Sequence, residues 1–161
     1  MVSERDGRKG GMNLFGVMEV SGSALEAERI RAEVVAANMA NAETTRTPEG
    51  GPYRRQHVVF TSQASTFAGH LLSQSAPAAD GSAFDAGGVR VSAVVADQGE
   101  PLRRFDPGHP DADKDGYVAY PDINPLTEMV DLMGATRAYG LNSSAIQAEK
   151  GMVAASLDIL K

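Results

Sequence analysis

Apolar residues recur at helical spacing in two stretches of this chain, one toward each end, and lose that spacing between them. Val20, Ala24, Ala27, Ile30 and Val34 follow one another at steps of 3 or 4, the repeat of one helix face. Within that stretch Ser23 and Glu26 have the Ser-x-x-Glu spacing of a capping box, whose hydroxyl and carboxylate satisfy free backbone N–H groups. Glu26/Arg29 and Glu28/Arg31 are i,i+3 pairs, each adding roughly 0.2–0.5 kcal/mol on the polar side. The turn-forming run TTRTPEGGP ends the pattern, so an N-terminal helix is expected over residues 14–45. Toward the other end, Leu126, Val130, Met133, Leu141, Ala145, Ala148, Met152, Ala155 and Ile159 form a second stripe, with Arg137 filling its single gap. The mean step of about 3.67 keeps this stripe on one side for roughly ten turns. Asn124 is a good N-cap and Pro125 suits the first helical position, so residues 123–161 are expected to hold a helix roughly 54 Å long.

Between these stretches the pattern changes to β. Tyr53–Phe60 is rich in β-branched and aromatic residues, and Val89–Val95 alternates apolar positions at 89, 91, 93 and 95. Leu102–Phe105 and Gly116–Tyr120 read as two short strands around an Asp-Gly turn. Residues 61–88 hold 16 Ala, Ser or Gly in 28 positions and read as a flexible loop, in which Leu71-Leu72 could seed one helical turn. The expected fold is therefore α+β: long N- and C-terminal helices, a coiled-coil-like core, flank a small central β-rich insert over residues 46–122. A helix this long exceeds any compact core the other residues can build. Its stripe can be buried only against the other terminal helix or against other copies of the chain.

Composition narrows the function. With 161 residues, 42% apolar and 22% charged, the chain has the makeup of one folded domain. Nine aromatics and no Trp leave few large anchors for a core. A net charge of −6 argues against nucleic acid as a partner. The longest apolar run, Val34–Ala42, is broken by Asn38 and Asn41 and falls short of a membrane span. The absence of Cys removes disulfides, thiolate nucleophiles and zinc-thiolate sites together, and only His57, His70 and His109 remain as nitrogen ligands. The opening MVSERDGRKGG carries charge without an apolar h-region, so residues 1–13 read as a disordered leader and no cleavable signal is expected.

Few constellations carry chemistry. Asn38 and Asn41 continue the first stripe, so its apolar face ends in two amides. Either they fix register with a neighbouring helix, as a buried Asn does in coiled coils, or they mark a fraying end with Asn41 as its cap. Asp111, Asp113, Asp115 and Asp122 stand near the spacing of a calcium loop with Gly116 at its sixth position, a weak metal candidate. Position 12 there is Asp instead of bidentate Glu, and Pro107 and Pro110 bar an entering helix. No Gly-x-Ser-x-Gly elbow, phosphate loop or grouped Ser/His/Asp set supports catalysis, so no catalytic residue and no cofactor are expected. Met129, Met133 and Met152, with Gly140 and Gly151, suit adaptable, close helix packing on a segment that orders when partners arrive.

The run Val34-Val-Ala-Ala-Asn-Met-Ala-Asn41, followed by Ala-Glu-Thr-Thr, resembles the N-terminal signature of the flagellar rod and hook proteins. Three later segments narrow the resemblance to proximal-rod members. They are Pro52-Tyr-Arg-Arg with Val58-Val-Phe, then Asp106–Val118 with Tyr120–Asn124, and Glu128-Met-Val with Arg137-Ala-Tyr. The resemblance covers residues 14–62 and 102–161 and implies a non-enzymatic subunit of the basal body's axial rod in the bacterial periplasm. Its implied partners are other copies of itself, other flagellar rod proteins and the flagellar export apparatus, which it would leave without a cleaved signal. Asn38, Ala40, Asn41, Arg137, Tyr139 and Asn142 match the family motif. With the stripes, the expected assembly interface comprises Val20, Ile30, Val34, Asn38, Asn41, Leu126, Val130, Met133, Arg137, Tyr139, Leu141, Asn142 and Met152. The alternatives are a helical adaptor that does not polymerise, a calcium-binding module through residues 111–122 and a hydrolase acting on peptidoglycan.

Overall fold

A computed structural model of the chain describes residues 14–63 and 87–159. The expected leader, and most of the expected loop with its Leu71-Leu72 turn and His70, lie outside those residues. In chain order the elements are helix α1 (Leu14–Ala40), strands β1 (Gln56–Ser62), β2 (Val89–Ala96), β3 (Leu102–Phe105) and β4 (Tyr117–Tyr120), and helix α2 (Pro125–Ile159). The α+β arrangement of two long helices flanking small antiparallel sheets matches the expected fold.

α1 starts nine residues before Ser23, so Ser23 is no cap. It sits mid-helix, donating its hydroxyl to the Val20 carbonyl (2.8 Å) and accepting from the Val89 amide (3.1 Å). That second bond ties β2 onto α1. Gly88, just ahead of β2, allows the approach, because a Cβ there would overlap the Ser23 hydroxyl. Of the expected i,i+3 pairs, Arg31 approaches Glu28 at 3.7 Å, whereas Arg29 reaches forward to Glu33 at 2.6 Å instead of back to Glu26. The helix ends where its two Asn residues stand: Asn41 returns its side-chain amide to the Ala37 carbonyl (2.9 Å) and holds Thr44 in the turn that follows.

β1 pairs antiparallel with β2, from Gln56 opposite Ala96 to Ser62 opposite Val89. The register shifts between Val59 and Phe60, where Ser92 of β2 bulges and donates to the Val59 carbonyl (3.0 Å). The bulge explains why the expected alternation of β2 holds only in part. Val89 and Val91 are half-buried on the α1 side, while Ala93 and Val95 beyond it are exposed. β1 begins at Gln56, three residues later than the pattern suggested, because Tyr53–Arg55 run as an extended segment that delivers two side chains to the helices. β3 pairs with β4, Leu102 opposite Tyr120 and Phe105 opposite Tyr117. Gly116 closes that unit at φ +78°, where a Cβ would meet the Phe105 ring at 2.9 Å.

α2 is capped as its sequence indicated: the Asn124 side chain accepts from the Leu126 amide (3.0 Å) and Pro125 opens the helix. α1 and α2 pack against each other, and α1 also contacts both strands of the β1–β2 sheet. Among the described residues the buried aliphatic core is small: Ala27, Val35, Val118, Ile123 and Ala135. No described helix is long and apolar enough to cross a membrane.

Two glycines test this account from opposite sides. Gly116→Ala should lower stability by about 1–2 kcal/mol, since L-residues resist positive φ and the ring lies in the way. Gly140→Ala, in open space inside α2, should raise it by up to ~1 kcal/mol. Urea denaturation of the two variants checks both signs.

Candidate functional site

The two helices meet on a polar lock. Asn38, 1% exposed near the end of α1, uses all four of its hydrogen-bonding positions. Its amide nitrogen donates to the Gln56 carbonyl (2.9 Å) and to Glu128 Oε2 (3.1 Å). Its oxygen accepts from the Gln56 amide (2.9 Å) and the Tyr53 hydroxyl (3.2 Å). Glu128, 1% exposed in the first turn of α2, receives Arg55 on its other oxygen, from Nε at 2.6 Å and Nη2 at 2.5 Å. Asp131, one turn on, lies 3.6 Å from both Arg31 and Arg55. Three elements are thus fixed at one point: α1 by Asn38, β1 and its lead-in by Gln56, Tyr53 and Arg55, and α2 by Glu128. Burial, with the Glu128 charge beside it, pushes the Tyr53 hydroxyl above its ordinary pKa, so Tyr53 stays a donor.

This lock decides which way α2 faces. Its inner row is Glu128, Asp131, Ala135, Ala138, Asn142, Ile146, Glu149 and Val153, all buried or half-buried. The apolar stripe lies to one side of that row and is open to solvent. Leu126 is 70% exposed, Val130 61%, Met133 64%, Leu141 67% and Met152 53%. The spacing of apolar residues left the stripe two places to be buried, and the structure removes one of them: α2 does not turn it onto α1. Small and acidic residues occupy that contact because α1 offers it Arg31 and Asn38, and Ala lets the backbones approach.

The other expected interface residues divide. Arg137 and Tyr139 are exposed on α2. Val20, Ile30 and Val34 are half-buried on α1, Ile30 near Val89 and Val91 of the sheet and Val34 near Val58 and Glu128. Asn142 returns its amide to the Ala138 carbonyl (2.9 Å), and Asn41 closes α1. Glu128, Arg55 and Tyr53 stand in segments that carry the family resemblance, but the sequence assigned them no structural role. An acid in the first turn of a helix is ordinary, and nothing local signals that it will be covered.

The carboxylates of the calcium-like loop turn to partners within the chain. Asp111 accepts from the Thr45 hydroxyl (2.8 Å) and lies 3.7 Å from Arg46. Asp113 accepts from the Tyr117 and Asp115 amides (2.8 and 2.9 Å) and pairs with Arg103 at 2.6 Å. The Tyr117 amide, helped by the Arg103 side chain, holds the Asp113 carboxyl below its ordinary pKa. Asp115 and Asp122 are exposed, and no cluster suited to a metal ion occurs among the described residues. His57 faces Asp97 at 3.6 Å, and His109 accepts from the Asp111 amide (3.1 Å).

Two family models match the chain: Flagella basal body rod protein over residues 18–46, and Flagellar basal body rod FlgEFG protein C-terminal over residues 114–159. These spans take in most of α1 and all of α2. Among curated proteins, the chain is similar to the "Flagellar basal-body rod protein FlgC" of Bacillus subtilis, 42% identical over 154 residues, covering 93% of this chain and 100% of the relative. The protein of the same name from Borreliella burgdorferi is 38% identical over 156 residues, covering 93% and 99%. That of Salmonella typhimurium is 35% identical over 148 residues, covering 92% and 98%.

The lock predicts a large effect from a small change. Asn38→Asp keeps the shape, removes both donors and sets a second carboxylate against Glu128. It should destabilise the protein by roughly 3–5 kcal/mol, the range for a broken buried charge network. A shift in the urea midpoint equivalent to less than about 1 kcal/mol would contradict the role given to Asn38.

Proposed function

The chain belongs to the FlgC family of flagellar basal-body rod proteins, and from that premise we propose that it polymerises in the proximal rod through the outward face of α2. Its place is the rod of the flagellar basal body, where it is a structural component. The observation that carries the proposal is the exposed stripe Leu126, Val130, Met133, Leu141 and Met152 on a well-formed helix. Large apolar side chains aligned over so many turns and left in water are the mark of a surface awaiting a partner. Covering about 1,000 Å² of such surface offers roughly 25 kcal/mol before ordering costs, most of which those costs remove. The shaft's stiffness then comes from many such contacts repeated along the axis, with no reaction catalysed.

The other copies of the chain and the neighbouring rod proteins are the partners in this reading. Passage through the flagellar export apparatus belongs to the same reading. Gly134, Gly140 and Gly151 weaken α2 as an isolated helix by roughly 1 kcal/mol each relative to Ala, which eases its unfolding for transit. The calcium and hydrolase alternatives gain no support from the site, where Asp111 and Asp113 are taken up by Thr45, Arg103 and backbone amides.

Met133→Asp tests the proposal. The residue is exposed, so the free protein should keep its stability within about 0.5 kcal/mol. Cells carrying only this variant should export it yet fail to complete rods and fail to swim. Swimming cells with normal basal bodies would contradict the assembly role of the face.

A further inference from the structure

The charges on the two helices differ in a way that bears on what covers the stripe. Between Leu126 and Leu157 the exposed positions of α2 carry no carboxylate, since Glu128, Asp131 and Glu149 all lie on the inner row. Arg137 interrupts the apolar stripe, is exposed, and makes no ion pair among the described residues. Two α2 stripes laid against each other would bury Arg137 with no acid opposite it, so the stripe is poorly made to pair with itself.

α1 has the complementary surface. Glu19, Glu26 and Glu33 recur every seventh residue and are all exposed, about 10 Å apart along the helix. Glu33 is held by Arg29 at 2.6 Å, while Glu19 and Glu26 make no ion pair among the described residues. Beside this row Ala36 is exposed, while Leu25 and Ala32 are half-buried, so small and partly open apolar surface borders the carboxylates. Resting on the assembly role proposed above, we infer that the stripe of α2 docks on the outer face of α1 of a second copy, with Arg137 received by Glu19 or Glu26.

The contact joins two different faces. Such a heterologous contact leaves one face of each kind free at the ends of any string of copies, so it propagates instead of closing into a dimer. A rod needs that property, and Arg137 supplies the register: an apolar stripe alone slides, whereas one cation among spaced carboxylates has few places to rest.

The natural absence of Cys gives a clean background for the test. A flagellated host without its own copy would produce two variants together, Arg137→Cys and either Glu26→Cys or Glu19→Cys. Isolated basal bodies would then be treated with a short bismaleimide. The expected result is a cross-linked dimer containing one of each variant. Cross-links only between two Arg137→Cys chains, or incorporation of both variants without any cross-link between them, would overturn the inference. Should Arg137→Cys itself stay out of the rod, Met133→Cys, one turn away on the stripe, takes its place: a mixed cross-link supports the pairing, and incorporation without one overturns it. Charge reversal is a second probe: Arg137→Glu should abolish swimming, and added Glu26→Arg or Glu19→Arg should restore it at least partly. No rescue by either would count against the pairing. Failure of the cross-link with incorporation intact removes only this choice of partner surface, whereas swimming Met133→Asp cells would remove the assembly role itself.

Discussion

A buried amide side chain is tolerable only when its two donors and two acceptor positions are all met, and Asn38 meets that condition with groups from three parts of the chain. Gln56 binds it twice through the backbone, Tyr53 once, and Glu128 once from the other helix. Because the Glu128 carboxylate must in turn be neutralised, Arg55 is drawn in beside it. The bonds are directional, so they specify one rotation and one register of α2 against α1. Burial of small apolar residues such as Ala27 and Ala135 would not fix either.

Everything peculiar about the molecule follows from that rotation. With Glu128 and Asp131 facing inward, the large aliphatic and Met residues of α2 face outward. The chain thereby forms its helix pair without consuming the surface proposed for assembly. Among the described residues the core is correspondingly thin, five buried aliphatic residues and a handful of buried polar ones. A core this thin is in keeping with a structural component of the basal-body rod. The β1–β2 sheet lies along α1, held by Ser23 on Val89 and by Asn38 on Gln56, and leaves the stripe of α2 uncovered.

How far the sequence spoke depended on whether a feature was local. Both helices, all four strands and the Asn124 cap were legible because spacing and turn chemistry act over a few residues. The Ser23 capping box failed because the helix continues upstream, and the same Ser serves the sheet instead. The alternation of β2 failed past Ser92 because a bulge leaves no periodic trace. Asn38 was legible as an anomaly on an apolar stripe, and the structure answers that it sets register between helices, while its neighbour Asn41 ends one. What no local pattern revealed was the direction of the α2 stripe. Periodicity identifies a face but does not say whether the chain itself will cover it, and here the choice was made by Glu128 and Arg55, 73 positions apart in sequence.

The central claim is that the stripe of α2 is bare on the free chain and covered in the rod. Thiol labelling of Met133→Cys measures this most directly, with Ala135→Cys on the inner row as reference. The account predicts that a maleimide modifies Met133→Cys in the free protein at the rate of an exposed thiol, and at least about tenfold more slowly in isolated basal bodies, while Ala135→Cys is slow in both. A Met133→Cys thiol that is slow on the free chain, or equally fast in both states, would contradict it.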